Sequence, residues 1–74
     1  MSKHYSLTAI IEREGKQYVS LCPELDIASQ GTSIEKAIDN LKEAVELFFE
    51  TASKKEIADR LHGDVLITRF NIAV

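Results

Sequence analysis

The 74-residue chain predicts an α+β domain in the order β-β-β-α-(α)-β, a mainly antiparallel sheet with one long amphipathic helix on one face. Three observations predict it. Residues 33–52 carry apolar side chains at helical spacing, residues 5–22 form two β-rich runs around a Glu14-Gly15 turn, and residues 64–74 form a further β-rich run at the end.

In chain order, residues 5–13 alternate, with Tyr5, Leu7, Ala9 and Ile11 on one face and Ser6, Thr8, Ile10 and Glu12 on the other. Gly15 suits a tight turn because it adopts a positive φ without cost to a side chain. A turn centred on residues 14–15 sets Ile11 opposite Tyr18, Ile10 opposite Val19 and Leu7 opposite Cys22. Pro23 has no N–H to give a ladder and ends the second strand. Residues 27–30 form a short third strand closed by Gly31.

The helix over residues 33–52 begins at Thr32 or Ser33, both N-cap residue types. Thr32 has Glu35 at capping-box spacing. Ile34, Ala37, Ile38, Leu41, Ala44, Val45, Phe48 and Ala52 form one apolar stripe, flanked by Phe49. After a break at Ser53, itself at capping-box spacing from Glu56, residues 54–61 form a second short helix ended by His62-Gly63. In the final run, Leu66, Thr68, Phe70, Ile72 and Val74 share one face, with Val65 and Ile67 on the other. The chain therefore reads as a single domain over residues 1–74, without linker or repeat.

A domain this small buries only about 60 % of its unfolded surface, so it gains from a staple or a second copy. One cysteine cannot make an internal disulfide, and two isolated histidines with it make a poor metal set. No cofactor or metal is expected, and a homo-oligomer, a dimer above others, is the favoured source of stability. A net charge of −3 and a pI near 5.3 argue against direct nucleic-acid binding. With no membrane-length apolar run and no signal-peptide core, a cytoplasmic protein is expected.

Two surfaces follow from the patterning. Glu35, Asp39, Glu43, Glu46 and Glu50 fall in one arc of the main helix, with Lys36 and Lys42 at its margins. Such an arc serves either as a solvated face or as a docking surface for a basic partner. Leu47 lies outside the apolar stripe and either packs under the second helix or meets a partner. The sheet is apolar on both faces, yet one helix covers only one of them. Ile10, Val19 and Leu21, with Val65, Ile67, Phe70 and Ile72 of the final run, are thus the candidate oligomer interface.

No constellation for catalysis emerges. Cys22 reads as a buried small hydrophobe, and His4 and His62 fall at predicted ends. Glu24 and Asp26 flank Leu25 in a turn, where paired carboxylates are ordinarily solvated; two-metal hydrolysis needs several carboxylates converging on the ions. No phosphate-binding glycine loop or nucleophile elbow occurs.

The segment from Tyr18 to Phe49 resembles the HicB-like antitoxin family in the ordered set Tyr18, Val19, Pro23, Glu24, Leu25, Gln30, Gly31, Ser33, Ala37, Asn40, Glu43 and Ala44. The resemblance favours Ser33 as the helix cap and implies a partial ribonuclease-H-like fold. It also implies the antitoxin role of a type II toxin–antitoxin pair: non-catalytic binding and neutralisation of a small basic HicA-like mRNA-cleaving toxin. The alternative is a stand-alone oligomeric binding module of the same fold. Asp26-Ile27 stands where the family often has Pro-Gly, and Thr32 replaces a common acidic residue. A C-terminal DNA-binding domain, carried by many members, is not expected, so autorepression does not transfer.

Overall fold

The computed structural model describes residues 4–61 and 63–74. Strands β1 (Ile10–Glu14), β2 (Gln17–Cys22) and β3 (Ile27–Gly31) precede helices α1 (Ile34–Thr51) and α2 (Lys54–Leu61). The strands form one antiparallel sheet in the order β1-β2-β3, and α1 lies mainly across β3 and β2. The α+β, helix-on-sheet arrangement is the expected one.

The first hairpin keeps the expected faces but not the expected register. Ile10 pairs with Leu21, Glu12 with Val19 and Glu14 with Gln17, which makes Gly15-Lys16 the turn instead of Glu14-Gly15. Gly15 has φ 64°, so glycine occupies the first central position, the place a type II′ turn reserves for it. The offset between partners changes by two residues, an even number, so every side chain stays on its predicted face. Ser20 and Cys22 point under α1 and are buried. Ile10, Val19 and Leu21 lie on the face that α1 leaves bare.

Two expected strands are shorter or absent. β1 begins at Ile10, not Tyr5. Continuing the observed register sets Thr8 opposite Pro23, which has no N–H, so the ladder stops. The Glu24 carboxylate replaces it, accepting the Thr8 N–H at 3.0 and 3.1 Å and the Thr8 hydroxyl at 2.6 Å. Residues 64–74 form no strand, and all of them are exposed. Their alternation prescribes an extended chain, but a strand also needs an edge to pair with, and α2 does not return this segment to its own sheet.

The core forms where α1 meets the sheet. Leu25, Cys22, Ala37 and Leu41 are buried, with Leu7, Ile27, Val45, Phe48, Phe49 and Leu61 packed around Cys22, Leu25 and Leu41. Apolar burial of this kind contributes about 25 cal/mol per Å². α1 approaches β3 so closely that a Cβ on Gly31 would stand 2.5 Å from the Ala37 nitrogen. Ser20 donates its hydroxyl to the Ala37 carbonyl at 2.8 Å, and the Asn40 amide donates to the Gln30 carbonyl at 2.8 Å. Ser33 is the N-cap, its hydroxyl accepting the Lys36 N–H at 3.1 Å.

α1 ends at Ala52, whose extended backbone (φ −79°, ψ 148°) breaks the helix. Ser53 then caps α2 by accepting the Glu56 N–H at 3.1 Å, as its spacing predicts. Arg60 fastens α2 to the body: its guanidinium donates to the Leu25 carbonyl and lies 5.2 Å from the centre of the Phe48 ring. His62, the expected helix stop, lies outside the described residues.

Candidate partner-binding surface

α1 displays the acidic residues. At 100° per residue, Glu35, Asp39, Glu43, Glu46 and Glu50 fall within an arc of about 80° and span about 22 Å of helix axis. All five are exposed, and among the described residues none takes part in an ion pair. The structure thus brings the five together as one unpaired acidic ridge. The fold explains their direction: α1 turns its opposite stripe, centred on Ala37 and Leu41, onto the sheet.

Leu47 borders this ridge and is 59 % exposed, so α2 does not cover it. The expectation that it packs under the second helix is corrected. α2 is drawn instead toward Phe48 and Leu25 by Arg60, about 100° further round α1. An exposed leucine beside a row of carboxylates offers an apolar contact within a charged surface.

The candidate oligomer residues divide in two. Ile10, Val19 and Leu21 come together with Glu12 and Ala28 around a shallow depression of about 220 Å³ on the bare sheet face. Val65, Ile67, Phe70 and Ile72 are exposed on the terminal segment and do not line that depression. A second, larger groove of about 280 Å³ runs beside β1, between the chain at Tyr5, Leu7 and Ala9 and the α1 residues Ile38, Leu41 and Val45. Sequence reasoning missed this groove by carrying the first strand back to Tyr5. Pro23, opposite Thr8 in the true register, was the signal that the strand is interrupted. Tyr5 stacks on Phe49 at 5.0 Å between ring centres, holding that segment against α1.

The turn carboxylates act structurally. Glu24 is directed inward to Thr8, and also accepts from the Cys22 thiol at 3.6 Å. Hydrogen bonding from the Thr8 hydroxyl holds the Glu24 carboxyl below its ordinary value, against desolvation, which works the other way. Asp26 does not share this role; it occupies a left-handed position, φ 55°, which Asp tolerates better than most side chains. Burial pushes the Cys22 thiol up, the direction of a packed thiol and not of an activated one. His4 is exposed. Among the described residues no group of three potential metal ligands converges, and no helix is long and apolar enough to cross a membrane.

The fold and surface define a small helix-on-sheet module with an acidic helix ridge and an open sheet edge. The chain is 38 % identical over 68 residues to a UPF0150 protein of Helicobacter pylori, a match covering 90 % of this chain and 94 % of that one. It belongs to the UPF0150 family, the HicB-like group to which its motif points. No family model matches the chain, and no solved structure does. Within the motif, Gly31, Ser33, Ala37 and Asn40 all serve the seating of α1 on β3. These four motif residues report the fold, whereas Glu43, also of the motif, lies on the acidic ridge.

Proposed function

We propose that the protein is a non-catalytic, antitoxin-like binding module that neutralises a small basic HicA-like ribonuclease by docking it on the outward face of α1. The observation that carries this reading is the ridge of five exposed carboxylates, in no ion pair among the described residues, in a chain of the HicB-like family. Like charges placed four residues apart, as at Glu35 and Asp39 or Glu46 and Glu50, cost a helix a few tenths of a kcal/mol each. A cationic partner removes that repulsion and is drawn in faster by the field of the ridge. Leu47 supplies an apolar contact beside it. Binding here covers the basic RNA-contacting surface of the toxin and requires no chemistry from this chain.

The test compares tagged wild-type protein with the Glu43→Gln/Glu46→Gln/Glu50→Gln variant, each recovered from its native cells at low salt. The wild type retains a small basic protein in stoichiometric amount, and the variant retains at most about a tenth as much. Equal retention by both, with unchanged circular dichroism, removes the acidic ridge from the account.

A further inference from the structure

We infer that two copies of this chain exchange their terminal segments, residues 64–74 of each adding as a fourth strand to the free edge of β1 in the other. The segment has the composition of a buried strand and the exposure of a free one. Leu66 is 90 % exposed, Phe70 83 % and Ile72 78 %, although the three alternate along one face. Apolar side chains at this density are rarely left in water when an edge is available to pair with.

Every residue of the segment is exposed, so it is not packed onto its own sheet. The Cα radius of gyration is 14.3 Å and the longest extent 47 Å. A compact domain of this length has a radius of about 11 Å. A segment that does not fold back on its own sheet is placed to reach another.

β1 offers the matching edge. It pairs only with β2, so every second N–H and C=O, at Ala9, Ile11 and Arg13, points to the open side. The other edge, at β3, is less open, because α1 lies over it and Asn40 occupies the Gln30 carbonyl. β1 proper, Ile10–Glu14, spans about 17 Å of the roughly 36 Å that eleven extended residues reach, so about half of the segment pairs with it and the rest runs on beside residues 5–9.

Both faces of the incoming strand find apolar surface. On the α1 side lies the 280 Å³ groove of Leu7, Ala9, Ile38, Leu41 and Val45. A cavity of roughly 150 Å³ already admits benzene, so this groove has room for the Phe70 ring or Leu66. On the other side lies the depression of Ile10, Val19 and Leu21, which Val65 and Ile67 would meet. Arg69 shares that second face of the segment, and Glu12 is the carboxylate at the depression. Reciprocal exchange closes the assembly at two chains, with main-chain hydrogen bonds supplying affinity and alternate side chains the register.

Light scattering on the eluting chain, with amide hydrogen exchange on the same sample, tests this. The expected mass is twice the 8.3 kDa of one chain, with residues 9–13 and 65–73 protected. Leu66→Asp/Phe70→Asp reduces the mass to one chain and exposes both stretches, while helix content by circular dichroism stays the same. Leu47→Asp, on the acidic ridge, leaves the dimer intact. A wild-type mass of one chain overturns the exchange even if 65–73 is protected, since the segment then folds onto its own body. So does a mass above two chains, or a dimer that survives the double substitution.

Discussion

Replacing Gly31 by alanine adds one methyl group at the closest approach between α1 and the sheet. The new Cβ would lie 2.5 Å from the Ala37 nitrogen, 2.7 Å from the Lys36 carbonyl carbon and 2.9 Å from the Lys36 Cβ. Two of these atoms are helix backbone, so no side-chain rotation relieves the contact. Ordinary contact requires about 1 Å more, and the first turns of α1 must move by that amount. The Ser20–Ala37 and Asn40–Gln30 hydrogen bonds stretch with them, at about 1 kcal/mol each. Overpacking of a formed core costs about 1–3 kcal/mol in addition. The expected loss is about 3–5 kcal/mol, against a total of about 4–11 kcal/mol for a domain of this length. Thermal unfolding followed by circular dichroism reads this as a fall of at least about 12 °C. Gly15→Ala is the control: it meets no atom within 4 Å, so only its positive φ opposes the substitution, at about 1 kcal/mol. If Gly31→Ala loses no more than Gly15→Ala, the close-packing explanation of this glycine is refuted.

Three further predictions concern the fold. Glu24 has a depressed folded-state pKa, so its contribution to stability is present above the ordinary glutamate value of about 4.3 and is lost as pH falls through the folded value. Urea midpoints for wild type and Glu24→Gln therefore differ at pH 7 and converge on acidification; a difference unchanged down to pH 3 contradicts the Thr8–Glu24 clamp. Ser20→Ala removes the buried donor to the Ala37 carbonyl and lowers stability by about 1 kcal/mol in the same titration, and no change would show that bond to be inert. Asp26→Gly leaves the unfolding free energy from urea titration within about 0.5 kcal/mol of wild type, whereas Asp26→Val loses at least about 1 kcal/mol, because a β-branched residue resists the left-handed backbone. Equal stability of these two variants would place residue 26 outside that conformation.

The elements most legible in the sequence were those specified by local pattern. The α1 stripe from Ala37 onward, the Ser53 cap and the two faces of the hairpin all follow from spacing, although Ile34, placed on the stripe, is exposed; α1 begins at Ser33, the cap the resemblance favours. The turn lies one residue later than spacing alone predicts, because glycine serves either central position of a two-residue hairpin and only the ladder decides between them. β1 is shorter than its alternation predicts because a proline on the opposite strand acts across the register. The terminal segment alternates like a strand yet forms none; strand pattern and strand pairing are separate matters, and the second depends on a partner edge. Of the candidate surface, the acidic arc was fully legible, since helical geometry alone aligns Glu35 through Glu50. The exposure of Leu47 was not, because it depends on where Arg60 draws α2.

The central claim is neutralisation of a ribonuclease by binding, and RNA cleavage measures it directly. Any small basic protein recovered with the tagged chain is separated under denaturing conditions, refolded, and assayed on mRNA with increasing amounts of the chain added back. The expected result is cleavage by the companion alone, silenced at one equivalent of wild type and restored in the Glu43→Gln/Glu46→Gln/Glu50→Gln titration. A chain that purifies without a companion, or a companion whose cleavage continues at saturating wild type, contradicts it.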